Sequence, residues 1–105
     1  MGLRSAEHVM RASRFGPKVR LRVDLHGVSV FGPGDERTLI RWEWIEHLSS
    51  GTGVEVRSAN DEIELPPGAF GLPPEELYEL LEEARSLDAR PDVIERLAGR
   101  GATRP

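Results

Sequence analysis

From Lys18 to Leu25 the chain alternates without a break, with Val19, Leu21, Val23 and Leu25 on one side and Lys18, Arg20, Arg22 and Asp24 on the other. A period of two puts these sets on opposite faces of an extended chain, so the stretch predicts a strand with one buried and one charged face. A turn at His26-Gly27 sends the chain back through Val28–Phe31, and Gly32-Pro33-Gly34-Asp35 has the residues of a second tight turn. Arg37–Trp42 reads as the next strand, with Ile40 and Trp42 on one face. Upstream the pattern is weaker. Ser5 suits the cap of a helix through Val9 and Met10, whereas His8–Ser13 suits a short edge strand that would partner the first hairpin. The β-rich context favours the strand.

Leu39–Ile45 holds both tryptophans and stands between this group of strands and a second one. Here the chain is expected to turn a corner into another sheet, with a short run to Leu48 and a turn at Ser49–Gly53. In a regular strand Trp42 and Trp44 share a face, so both are expected in the core, with Glu43 pointing outward toward Arg41 or Arg57. Val54–Arg57 and Glu62–Leu65 alternate again around a turn at Ser58–Asp61, and Pro66-Pro67-Gly68 stops the last strand.

Phe70 and Leu72 sit in a connector and are expected to tuck under the next element. Leu77, Leu80, Leu81, Ala84 and Leu87 then recur at helical spacing over 74–87, with Pro74 in the first turn and Glu75 and Glu76 at the positive end of the helix dipole. The opposite face is all glutamate, and Glu79 and Glu83 repel at i, i+4, so this helix must be held by docking its leucines onto the sheets. A shorter helix over 91–98 follows Pro91 through Val93, Ile94 and Leu97 and is expected to end at Gly99. The expectation is one domain over 8–98, with flexible ends at 1–7 and 99–105.

Composition changes this picture in three places. At 38% hydrophobic and 30% charged residues, 105 residues can build one modest core. There is no cysteine, which removes disulfides and zinc–thiolate sites and suits a reducing cytoplasm; no signal-like apolar run and no membrane-length apolar run is visible. The net charge of −4 is unevenly spread: residues 1–23 carry six cations against Glu7 alone, while the remainder carries eight cations against seventeen carboxylates. Such asymmetry marks a surface for an anionic partner, unless the basic and acidic strands face each other in the fold and cancel.

Seven short strands, tight turns and one C-terminal amphipathic helix form the element order of a known class. Asp24-Leu25-His26-Gly27-Val28, Gly32-Pro33-Gly34, Trp42-Glu43-Trp44-Ile45, Val54-Glu55-Val56 and Leu77-Tyr78-Glu79-Leu80-Leu81 come in the order seen in small bacterial pleckstrin-homology-like (PH-like) domains. Over roughly residues 8–87 the chain resembles that family. The resemblance implies a mainly β fold, a PH-like split barrel of two near-orthogonal antiparallel sheets capped by the helix. The tryptophan that eukaryotic members carry in the last helix is absent, with Tyr78 the one aromatic there.

Lipid-binding members of that class place a basic residue on strand 1 and a basic-x-Arg on strand 2. Arg11, Arg20 and Arg22 match that spacing, with Arg14 and Lys18 in the loop between, so these five are the candidate anionic-ligand site. Guanidinium groups on adjacent strands can clamp a phosphate bidentately. The plainer reading is that they are the solvated face of an amphipathic strand. Catalysis has nothing to point at: there is no cysteine nucleophile, no Gly-x-Ser-x-Gly elbow, and Gly51-Thr52-Gly53 lacks the lysine of a phosphate loop. His8, His26 and His47 have no metal-ligand spacing, so neither a metal nor a cofactor is expected. Nucleic acid is not expected either, because no aromatic residues interleave with the arginines along the chain. The expectation is a non-enzymatic interaction module that makes protein contacts or self-associates through a strand edge or the helix face. The alternative is a cytoplasmic module peripheral to the membrane, holding anionic lipid headgroups through the five basic residues.

Overall fold

The computed structural model describes residues 5–11, 16–34 and 36–101. Among these residues, seven strands make two antiparallel sheets, and both are ordered as simple meanders. The first sheet is β1 (Ser5–Arg11), β2 (Lys18–Asp24), β3 (Gly27–Phe31) and β4 (Arg37–Arg41); the second is β5 (His47–Ser50), β6 (Val54–Arg57) and β7 (Glu62–Leu65). The sheets do not close on each other. Two C-terminal helices, α1 (Pro74–Ala84) and α2 (Arg90–Gly101), cap the open side of this split-barrel-like sandwich, α1 against β5 and β6 and α2 against β1.

One apolar cluster joins these layers. Ala6, Leu21, Val23, Val28 and Ile40 come from the first sheet, and Leu48, Val54, Val56, Ile63 and Leu65 from the second. The helices add Leu77, Leu81 and Ala84 from α1 and Val93, Ile94 and Leu97 from α2. These are the inward members of each period-two or period-3.6 pattern, so burial rather than intrinsic propensity selects the register.

Where the chain departs from its pattern, backbone geometry is the reason. Trp42–Trp44 is a turn of 3-10 helix and not strand, so side chains two apart diverge instead of sharing a face. Trp42 is buried and donates its indole N–H to the Asp24 carbonyl at 2.8 Å, whereas Trp44 is 52% exposed; the expectation of two core tryptophans is corrected to one. Glu43 pairs with Arg41 at 3.0 Å. Ser49 and Ser50 continue β5, opposite Glu55 and Val54, because the turn needs only Gly51–Gly53.

The helical end differs as well. α1 stops at Ala84, leaving Leu87 76% exposed in the linker instead of on the apolar stripe. Arg90 explains the stop. Its guanidinium is buried against the end of α1, donating from Nε to the Ala84 carbonyl at 2.8 Å and from Nη2 to the Arg85 carbonyl at 3.1 Å. It thereby satisfies carbonyls that the last helical turn leaves without a partner. α2 continues past Gly99, and β1 begins at Ser5.

His8 and Phe70 tie β1 to the connector after β7. Phe70 has left-handed backbone, φ 57°, and its N–H donates to His8 Nδ1 at 2.8 Å while the two rings lie 5.8 Å apart. The histidine that looked uninformative in the sequence is therefore a structural acceptor on the inner side of β1.

Candidate functional site

The β1–β2 and β2–β3 registers decide which charged residues meet. Arg11 is opposite Lys18, Val9 opposite Arg20, and Glu7 opposite Arg22; Arg20 is in turn opposite Phe31, and Phe31 opposite Arg37. Directly opposed residues share a face, so Arg11, Lys18, Arg20, Arg22, Arg37 and Arg41 all stand on the outer face of the four-stranded sheet. Only Glu7 and Asp24 bring negative charge to that face from its strands.

Phe31 is the centre of the arrangement. The guanidinium carbons of Arg20, Arg22 and Arg37 lie 4.5, 4.9 and 5.4 Å from its ring centroid. The negative face of the aromatic quadrupole attracts each cation and holds three like charges closer than bare repulsion would favour. A guanidinium held by a ring through its charge keeps N–H groups able to donate.

The ring of arginines is partly spent and partly free. Arg22 donates from Nε to Glu7 at 2.9 Å. Arg41 pairs with Glu43 and lies 5.6 Å from the Trp44 ring. Arg11 donates to the Gly16 carbonyl at 3.1 Å. Among the described residues, Lys18, Arg20 and Arg37 have no carboxylate within ion-pair distance. Asp24 is occupied in the β2–β3 turn, its Oδ1 accepting from the His26 and Gly27 N–H groups at 2.9 and 3.1 Å. Beside Arg20, Val9 is 57% exposed.

Four of the five candidate residues, Arg11, Lys18, Arg20 and Arg22, are therefore brought together on one open face. Arg14 lies outside the described residues. Phe31, Arg37 and Arg41 are the members that sequence reading missed. Their signal was parity: Phe31 shares a face with Ser29, and Arg37 with Leu39 and Arg41. That parity acquires meaning only once the strands are paired. An aromatic residue does stand among the arginines, across strands and not along the chain.

The outer face of the three-stranded sheet is of opposite sign. Glu55 is opposite Glu64, and Arg57 opposite Glu62. Arg57 Nη2 contacts Glu55 at 2.7 Å. Glu55 and Glu62 share a hydrogen bond diagonally across the strands, which pushes the Glu62 carboxyl up from its ordinary value and holds Glu55 down. The basic strands thus do not neutralise the acidic ones. They are separated to opposite outer faces of the sandwich.

Among the described residues, clefts also lie outside the basic face. One of about 360 Å³ is lined by Glu43, Trp44, Glu46 and the Ser58–Asp61 turn. Another of about 280 Å³ lies beside the β5–β6 turn, between Ser49–Gly53 and the facing carboxylates Glu55 and Glu64. Among the described residues no group of three or more His, Asp or Glu is placed to hold a metal ion, and no helix is long and apolar enough to cross a membrane.

No known family, no curated protein and no solved structure matches this chain.

Proposed function

We propose that this domain is a non-enzymatic interaction module of PH-like type, working through the outer face of its four-stranded sheet against an acidic protein surface. The observation that carries the reading is the fan of Arg20, Arg22 and Arg37 around Phe31, with Lys18 and Arg11 on the same face. Aromatic-backed arginines are pre-oriented, so less side-chain entropy is lost when they meet a carboxylate fork. The element order, two meander sheets capped by helices, supports the PH-like assignment. A bilayer containing anionic lipid is a second reading, favoured by exposed Val9 beside Arg20, since an apolar side chain among cations suits an interfacial surface.

Binding of polyglutamate, and co-sedimentation with phosphatidylserine-containing and phosphatidylcholine vesicles, test this on the wild type and an Arg20→Glu/Arg22→Glu variant. The expected result is polyglutamate binding at low salt that weakens with added salt and is lost in the variant. Binding to phosphatidylserine vesicles without polyglutamate binding would replace the protein surface with a membrane. Failure to bind either probe at low salt, or binding unchanged in the variant, overturns the basic face as the working surface.

A further inference from the structure

We propose that the acidic surface met by the basic sheet face is the outer face of the three-stranded sheet on a second copy of this chain, giving head-to-tail self-association. The inference rests on the reading above and names its partner.

Three observations converge on it. First, the two faces are complementary: Lys18, Arg20 and Arg37 have no carboxylate partner among the described residues, while Glu55, Glu62 and Glu64 crowd around the single cation Arg57. Second, each face is strained by its own like charges. Directly opposed like charges such as Glu55 and Glu64 disfavour an isolated sheet, and repulsion in the arginine fan is offset by its contacts with Phe31 and, for Arg22 alone among its three members, by the pair with Glu7. A cation from outside relieves the first and a carboxylate from outside relieves the second. Third, the cleft of about 280 Å³ bounded by Glu55, Glu64 and the Ser49–Gly53 turn is a recess into which a guanidinium from a facing copy fits between two carboxylates.

Geometry then sets the kind of assembly. Both sheets turn their inner faces to one core, so their outer faces look away from each other. Joining the basic face of one copy to the acidic face of the next is heterologous and leaves a free face at each end, which propagates as an open stack instead of closing as a two-fold dimer. Strands are about 4.8 Å apart, so faces of four and three short strands cover only a few hundred Å² each, below the roughly 800 Å² per partner of a stable complex. The association is therefore weak, concentration-dependent and salt-sensitive.

Sedimentation velocity of the wild-type chain over a range of concentration and salt reads this directly. At low salt the weight-average mass should rise with concentration, by about twofold or more, and return to the 11.7 kDa monomer at high salt. An Arg20→Glu/Arg37→Glu variant and a Glu62→Lys/Glu64→Lys variant should each stay monomeric, with circular dichroism confirming that both are folded. Mixed together, the two should associate, because each supplies the face the other has lost. Wild type that stays monomeric at low salt, mass growth that survives both reversals, or a mixture that stays monomeric overturns the proposal. If wild type is monomeric yet binds polyglutamate through Arg20 and Arg22, self-association falls and the basic-face reading stands. If polyglutamate binding also fails, both fall.

Discussion

The two sheets are built alike and present opposite surfaces. Both are antiparallel meanders of short amphipathic strands with valine, leucine and isoleucine turned inward. Both carry crowded like charges on the outer face, but they accommodate the crowding by different chemistry. The four-stranded sheet uses arginine, which stays protonated across the physiological range, and its charges gather over Phe31, with Arg22 also paired to Glu7. The three-stranded sheet uses glutamate, and the hydrogen bond between Glu55 and Glu62 raises the Glu62 carboxyl from its ordinary value and lowers Glu55.

The largest expected effects come from disrupting either sheet, at Gly27 in β3 or at Gly53 in the β5–β6 turn. A Cβ on Gly27 would sit 2.2 Å from the Ile40 carbonyl oxygen in β4, and a Cβ on Gly53 would sit 2.2 Å from the Leu65 carbonyl oxygen in β7. Both obstacles are backbone, so neither can swing aside. Gly27→Ala and Gly53→Ala are each expected to lose about 3 kcal/mol of stability by urea denaturation. Equal midpoints for variant and wild type would show that the strands can separate without cost.

A smaller effect sharpens the account of the basic face. Phe31→Leu keeps apolar bulk and removes the aromatic quadrupole. The arginine fan loses its support, and stability should fall by about 1 kcal/mol at low salt and by less as salt screens the arginines from one another. A loss that does not shrink with salt would assign Phe31 to packing alone.

The smallest effect tests the acidic face. Glu62 has a raised folded-state value, caused by its hydrogen bond to Glu55 and then by the Glu55 charge, so its contribution to stability is complete below the ordinary value of 4.5 and is lost as pH rises through the folded value. Glu55 is lowered, by its hydrogen bonds to Glu62 and Arg57, so its contribution is complete above 4.5 and is lost as pH falls through its own folded value. Arg57, Glu64 and His47 are the other charged or titratable groups facing this pair across β5, β6 and β7. Glu62→Gln keeps a donor for Glu55 and cannot ionise, so its urea midpoint should gain on wild type as pH rises above 4.5. Midpoints that run parallel across this range would show that ionisation of Glu62 does not bear on stability.

The amphipathic alternation of Lys18–Asp24, Val54–Arg57 and Glu62–Leu65, and the turn residues between them, made the β-rich class and most strand positions readable in advance. Those signals are local. They arise from burial of one face, which a period of two records directly. The errors fell where local pattern and three-dimensional geometry part company. Trp44 left the core because a 3-10 turn rotates each residue about a third of a turn instead of a half, and Leu87 left its stripe because Arg90 terminates α1 one turn early. His8 gave no sign that it would accept a hydrogen bond from Phe70, a residue sixty-two positions away.

The candidate site divides in the same manner. Spacing alone put Arg20 and Arg22 on one face of one strand, because i and i+2 always share a face in an extended chain. Arg11 opposite Lys18, and Phe31 between Arg20 and Arg37, depend on which residues of different strands are paired. The sequence by itself thus determined the β-rich class, which way its clearly alternating strands face and where the basic charge lies along the chain. Only the tertiary structure decided that four strands pool that charge around one aromatic ring and that the acidic strands look the other way. Register is a long-range property, set by the packing of one shared core, and no window along the chain contains it.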